Sequence, residues 1–300
     1  KTVSHITISD SITELGNQSF KGCVNLKSFD FGNNLKEIGT AAFSECSSLE
    51  NANMPDSITG LGNYIFKNCT SLNKAHINEG RINIMEGMFY GCENLEEVNI
   101  PDTVENIRTS AFDGCKSLSK IELPESVKLI ESSAFRNCSS LQKFEFSSSL
   151  SEIGNYAFDG CISLEEAIMP DSITSLGESI FANCSSLKKV HINEGRINIT
   201  YGLFENCSSL QDINIPDSVQ NIRTKAFYGC ASLNSLTLPK SLKIIESNVF
   251  GGTAINSLEF TGTKEQLKLI DIIATGNEVI LENSIKTLAD GKNVVLKPKA

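Results

Sequence analysis

The chain has 300 residues, 36 of them acidic and 26 basic, for a formal charge of −10. That balance leaves no cationic field to gather nucleic-acid phosphates or an anionic membrane surface, so nucleic acid is not an expected partner. No run of about eighteen apolar residues is present that would cross a bilayer, so no membrane insertion is expected. Lys1, Thr2 and Val3 open the chain without an initiator Met or a signal sequence, which reads as a mature or trimmed form.

Val3, Ile6 and Ile8 supply an N-terminal strand, and from there a single frame governs the chain. Cysteines stand at Cys23, Cys46, Cys69, Cys92, Cys115, Cys138, Cys161, Cys184, Cys207 and Cys230, every interval being 23 residues. Three positions before each is a phenylalanine, from Phe20 to Phe227, and Phe250 continues the column where Gly252 and Thr253 replace the cysteine. Three positions after each is a leucine, from Leu26 to Leu233. Apolar residues six and eight places after the cysteine, such as Val98 and Ile100, alternate as a short strand does. A proline often closes that strand, as at Pro55, Pro101, Pro124, Pro170, Pro216 and Pro239, where a fixed φ and a missing donor turn the chain. Fifteen places after the cysteine comes a further apolar residue, from Ile38 to Ile245.

A fixed period of this kind predicts a stacked solenoid, in which each coil buries its apolar edge only against its neighbours. Residues 1–260 accommodate about twelve coils, and a strand spacing of about 4.8 Å gives a rod of roughly 55 to 60 Å. The last coil runs one residue short, through Ile255, Leu258 and Phe260. Thr263 is placed to N-cap a helix over Lys264 to Ala274 with Gln266 completing a capping box, and strand-like runs follow at Val279 to Leu281 and Val294 to Leu296. Residues 261–300 therefore read as a C-terminal cap, with a short helix and two short strands, over the open end of the stack.

A longer period overlies the short one. HINEGRINI at 76–84 recurs unchanged at 191–199, and IPDTVENIRTSAFDGC at 100–115 returns as IPDSVQNIRTKAFYGC at 215–230. The offset is 115 residues, five coils, which points to duplication of a five-coil block.

The phrase SLSEIGNYAFDGCISL at 149–164, with SVQNIRTKAFYGCASL at 218–233, resembles the BspA-type leucine-rich repeats over residues 3 to about 260. The resemblance implies a leucine-rich-repeat solenoid of the α/β horseshoe class, with mostly short parallel strands, turns and short helical segments. It also implies that the strands carrying Leu26, Phe29, Phe31 and their equivalents form a parallel sheet on one face. The family is found on surface proteins of host-associated anaerobic bacteria and some parasitic protists, and is implicated in adhesion to host proteins. A non-catalytic adhesion protein, extracellular or at the cell surface, with a host or cell-surface protein as partner, is the function so implied; the alternative is an intracellular interaction scaffold. The family's glycine after the apolar residue is kept at Gly16, Gly39, Gly62, Gly154 and Gly177, whereas Met85, Arg108, Glu131, Thr200, Arg223 and Glu246 stand at that place elsewhere, so the turn cannot demand a positive φ in every coil.

Residue chemistry was weighed against that reading. Equivalent cysteines would lie within disulfide distance, but stacked side chains point the same way, so the ladder is expected to be reduced and buried. No two cysteines have zinc-ligand spacing, and no cofactor is expected. His5, His76 and His191 have no recurring nucleophile or carboxylate partner, and no enzyme activity is expected. The outward strand face, four, five and seven residues after each cysteine, is polar and has no phenylalanine, tyrosine or tryptophan, which removes the usual platform for sugars or unpaired bases. Glu97, Asn99, Glu122 and Asn214 on that face are candidate partner-binding residues. His76, Glu79 and Arg81, with Asn78 beside them, form a candidate patch whose second copy is His191, Glu194 and Arg196, with Asn193.

Overall fold

The computed structural model describes residues 3–77, 79–80, 83–192, 194–195, 198–282, 284–287 and 293–295. Two-residue strands recur once per coil, from Glu14–Leu15 through Asn106–Ile107 to Asp271–Ile272, giving twelve rungs separated by eleven turns. Among the described residues neighbouring rungs pair in parallel and in register in three runs, from Glu14–Leu15 to Gly60–Leu61, from Asn83–Ile84 to Ser175–Leu176 and from Asn198–Ile199 to Asp271–Ile272, with Glu14 opposite Glu37 and Leu15 opposite Ile38 at one end and Ile244 opposite Asp271 at the other. The fold is therefore the expected parallel solenoid of 23-residue repeats.

The strands that follow the leucine column form the second side of each coil. They include His5–Thr7, Ser28–Asp30, Lys74–His76, Glu97–Val98, Lys189–His191 and Ser257–Phe260. The resemblance implied one sheet here, but the described residues form four separate ones. Two causes coincide with the breaks. Of the three breaks, the first lies beside Phe29 and Phe31, the largest inward strand residues, and the second beside their copies Phe144 and Phe146, while Asn99 and Asn214 fold side chains into the ladder at the second and the third.

The third side is irregular in sequence but strictly repetitive in backbone. The residues five and one before each cysteine column have positive φ in every coil, from Gln18 and Gly22 to Asn248 and Gly252. Glycine or asparagine, which tolerate the left-handed region, hold the second of these positions in every coil but that of Glu45. The local geometry sends alternate amides to the next coil, Gln18 N–H to Thr40 O, Phe20 N–H to Ala42 O and Gly22 N–H to Ser44 O, while the amides between them close turns within the coil. Backbone polar groups on this side are thus satisfied without a strand. Gly39 and Gly62 have a different reason: their φ is ordinary, but a Cβ there would meet Asn17 N at 2.6 Å and Thr40 N at 2.3 Å.

Inside the three sides runs the core. The phenylalanines from Phe20 to Phe250 stack face to face, with centroids 5.2–5.9 Å apart and planes within 2–18°. All of them from Phe43 onward are completely buried. Each of the nine cysteines from Cys46 to Cys230 is buried, and its Sγ donates to the carbonyl of the phenylalanine in the preceding coil at 3.0–3.2 Å. The column therefore needs a small side chain with a donor, not merely a small apolar one. All ten cysteines are free thiols. Burial pushes Cys46 and Cys230 up to about 12 and raises the thiols between them further from ionisation.

The sequence reading needs correction at the C-terminal end. The capping box of Thr263 and Gln266 forms, but the helix stops at Lys264–Leu267, because Asp271–Ile272 returns to the short-strand ladder. Val279 to Leu281 lie in a helix, Glu278–Glu282, not a strand. Ser284–Thr287 pairs in parallel with Ser257–Phe260, and Asn293–Val295 pairs with it antiparallel; Leu296 lies outside the described residues.

Candidate binding face

The strand side presents side chains in columns fixed by period two, so chemistry on it is read along the stack as well as across it. Lys74 meets Glu97 of the next coil at 2.8 Å, Lys188 meets Glu165 at 3.0 Å, and Lys189 meets Glu166 at 3.6 Å. Lys120 pairs with Glu122 and Lys143 with Glu145 along single strands. All are exposed pairs, screened by water, so they set the pattern of charge rather than hold the fold. Glu50, Glu96 and Asp212 face the same side and form no ion pair among the described residues.

A shallow groove of 690 Å³ crosses this face between Asn53 and Glu122. It brings together four of the candidate residues, His76, Glu97, Asn99 and Glu122. His76 is exposed at the end of its strand, and Glu97 and Glu122 retain 66 % and 78 % of their side-chain surface. Asn99 has another task. Its Oδ1 accepts from Ile77 N–H at 2.7 Å and its Nδ2 donates to Ile77 O at 3.0 Å, replacing the backbone ladder at that step. Asn214 clamps Ile192 in the same way, at 2.9 and 3.0 Å. Period two directs both asparagines outward, yet their amides are taken up by the coil before.

His191 is the exposed equivalent of His76, and Glu79 and Glu194 are exposed beside Gly80 and Gly195, which have positive φ. Glu194 also lines a second groove with Asp171, Thr174 and Asn198. Arg81 and Arg196, with Asn78 and Asn193, lie outside the described residues.

Some polar arrangements were not foreseen in the sequence. His5 touches Ser28 Oγ at 2.8 Å and Asp30 Oδ2 at 3.3 Å. Ser28 is the register partner of His5 and Asp30 lies diagonally across the paired strands, with 49 % of the His5 side chain and 68 % of Asp30 exposed, so the contacts are open cross-strand polar pairs. Glu131 takes Arg108 at 2.7 Å and both N–H and hydroxyl of Thr109 at 2.9 Å; Glu246 repeats this with Arg223 and Thr224. The repeated IRT of the duplicated block was the signal for this motif. Among the described residues no cluster of three histidine, cysteine or carboxylate side chains could hold a metal, and no helix is long and apolar enough to cross a membrane.

The BspA type leucine rich repeat region matches the sequence in six copies, over residues 1–119, 105–223 and 197–271. A leucine-rich repeat protein from Bacteroides ovatus is 30 % identical, with 93 % of this chain and 77 % of that one aligned and a TM-score of 0.77. A leucine rich cell surface protein from Faecalibacterium prausnitzii is 29 % identical over 89 % of this chain and 82 % of its own, with a TM-score of 0.58. The pneumococcal vaccine antigen PcpA shares the fold at 22 % identity and a TM-score of 0.54, over 90 % of this chain and 67 % of its own. No protein of curated function matches the sequence.

Proposed function

The chain belongs to the BspA-type leucine-rich-repeat family, and on that premise we propose that it is a non-catalytic binding solenoid, secreted or held at a cell surface, that adheres to a host or cell-surface protein. The observation that carries this reading is the strand-face groove. It is broad and shallow, mixes polar and apolar surface about equally, its lysines are already paired with carboxylates, and it offers hydrogen-bonding groups on an open surface rather than an enclosed cavity. Such a surface suits another folded protein better than a small molecule, which needs a concave apolar pocket. The description of the Faecalibacterium relative as a cell surface protein supports the location.

The contact residues on this reading are His76, Glu79, Glu97 and Glu122, with Arg81 adjoining, and in the second block His191, Glu194 and Arg196. Asn99 and Asn214 shape the face by fixing the backbone beneath it. On the same reading residues 261–300 are a C-terminal cap, of which the described part, Lys264–Leu267, Asp271–Ile272, Glu278–Glu282 and Ser284–Thr287, continues both ladders past the last 23-residue coil. Ten free thiols favour a second reading, an intracellular scaffold, because a reducing compartment keeps thiols unpaired.

The test has two arms. Protease shaving of intact producing cells should release the protein if it is displayed, and leave it untouched if it is a scaffold inside. Capture of a partner from host matrix should be abolished by the reversal Glu97→Lys with Glu122→Lys and unaffected by Glu14→Lys on the short-strand side. Equal capture by all three proteins would reject the strand face as the binding surface.

A further inference from the structure

A second groove, of 720 Å³, lies on the irregular third side and runs along the stack from Asn68 to Asn183. It exists because of what the left-handed column lacks. At that position Asn68, Asn137 and Asn183 carry side chains, but Gly91, Gly114 and Gly160 do not, and the adjacent pair Gly91 and Gly114 leaves a trough. A Cβ on Gly114 would find its nearest neighbour, the Gly91 Cα, only at 3.6 Å.

Three observations describe what would lie there. The first is charge. Lys116 is paired with Glu93 at 2.8 Å and Arg136 with Asp159 at 3.3 Å, while Asn137 donates to Asp113 and Asn183 to Asp159. Donors and acceptors alternate along the floor, and no cation is left over to hold an anion. The second is an aromatic ring. Tyr90 lines the groove with 36 % of its surface exposed, and the Lys67 ammonium lies 5.1 Å from its ring centroid. The outward strand face, by contrast, has no phenylalanine, tyrosine or tryptophan. The third is the repeat. Equivalent core rings under these coils stand 5.3–5.8 Å apart, an interval of the same order as one sugar ring, so successive rings of an extended chain would lie over successive coils.

We propose that this groove binds an extended neutral oligosaccharide, its sugar hydroxyls bonded to the alternating carboxylates and amides and one ring stacked on Tyr90. Hydroxyls both donate and accept, which matches a floor of mixed sign, and a ring face against tyrosine supplies the apolar contact. The site is separate from the strand face and does not depend on the adhesion reading.

The experiment is calorimetric titration of the intact chain with cellohexaose and chitohexaose, and with a galacturonic acid hexamer as the acidic comparison. Binding of at least one neutral hexamer is expected. Tyr90→Ala should weaken it about tenfold or more, as loss of a stacking partner does. Gly114→Asn, which the left-handed position accepts as it accepts Asn137 in the next coil, should fill the trough and abolish binding with an unchanged far-UV spectrum. No binding of either neutral hexamer, binding of the acidic hexamer alone, or neutral binding that both variants leave unchanged would overturn the assignment.

Discussion

Replacing Phe135 by alanine tests whether the aromatic column is what holds the coils together. Phe135 is fully buried, stacks on Phe112 at 5.3 Å and on Phe158 at 5.4 Å, and takes Phe144 edge-on at 5.1 Å. Deletion of a buried phenylalanine costs about 3–5 kcal/mol through lost transfer and an unfilled cavity. Three aromatic partners, each worth about 0.5–1.5 kcal/mol beyond area, place this site at the top of that range, about 5 kcal/mol. Phe20 heads the column, is only half-buried and touches the single ring of Phe43 at 5.2 Å, so Phe20→Ala should cost about 2 kcal/mol. The assay is urea unfolding followed by far-UV circular dichroism, with midpoints compared at matched slope because coils couple only to their neighbours. Equal losses at the two positions, or a loss below about 2 kcal/mol at Phe135, would refute the argument from shared neighbours.

Other outcomes follow from the same geometry. Alkylation of the native protein should modify Cys23, the half-buried first thiol, well before the nine that are buried, and all ten should react after denaturation; native reaction at Cys138 would contradict the ladder. Burial works against the charge on Glu131 and Glu246, but Arg108 with Thr109, and Arg223 with Thr224, outweigh it and hold both carboxyls below the usual range. The stability they add is complete above the unfolded value near about 4.3 and is lost as pH falls through the lowered values. A Glu131→Gln, Glu246→Gln double variant should therefore be less stable at neutral pH, keep the same gap down to about pH 4.3, and approach the parent only below it in urea midpoints; a gap that stays constant on further acidification would show that the two carboxylates contribute nothing through their charge. Asn99→Ala should cost about 1–3 kcal/mol by leaving the Ile77 amide and carbonyl unpaired, and thermal melting unchanged from the parent would mean that water replaces the clamp.

The columns were legible because each coil rebuilds the same surroundings. A phenylalanine that is inward once is inward eleven times, and the cysteine spacing fixes the stack with no help from local propensity. The same periodicity misled at the asparagines. Period two gives the direction of Asn99 but not its bend back onto Ile77, which depends on the coil before lacking the usual proline. Val279 to Leu281 failed for another reason. Three apolar residues in a row fit strand or helix equally, and the choice is made by Asn277, which is buried and bonded to Glu246 O, Ile273 O and Phe250 N, contacts beyond the reach of sequence pattern. The buried column twelve residues after each cysteine, Ile58, Val104 and Val127 among it, is a further miss; it sits where the amide closes the proline turn onto Pro55, Pro101 and Pro124. The glycine trough was hidden because its shape belongs to three coils at once.

The identical segments 76–84 and 191–199 occupy equivalent rungs, Asn83–Ile84 pairing onward to Asn106–Ile107 and Asn198–Ile199 to Asn221–Ile222 in the same register. A crossover between them during replication would therefore join one ladder to the other with every inward residue still inward. Rod length in this lineage is then a heritable quantity that can rise or fall by 115 residues in one event, without a single new packing problem for the core to solve.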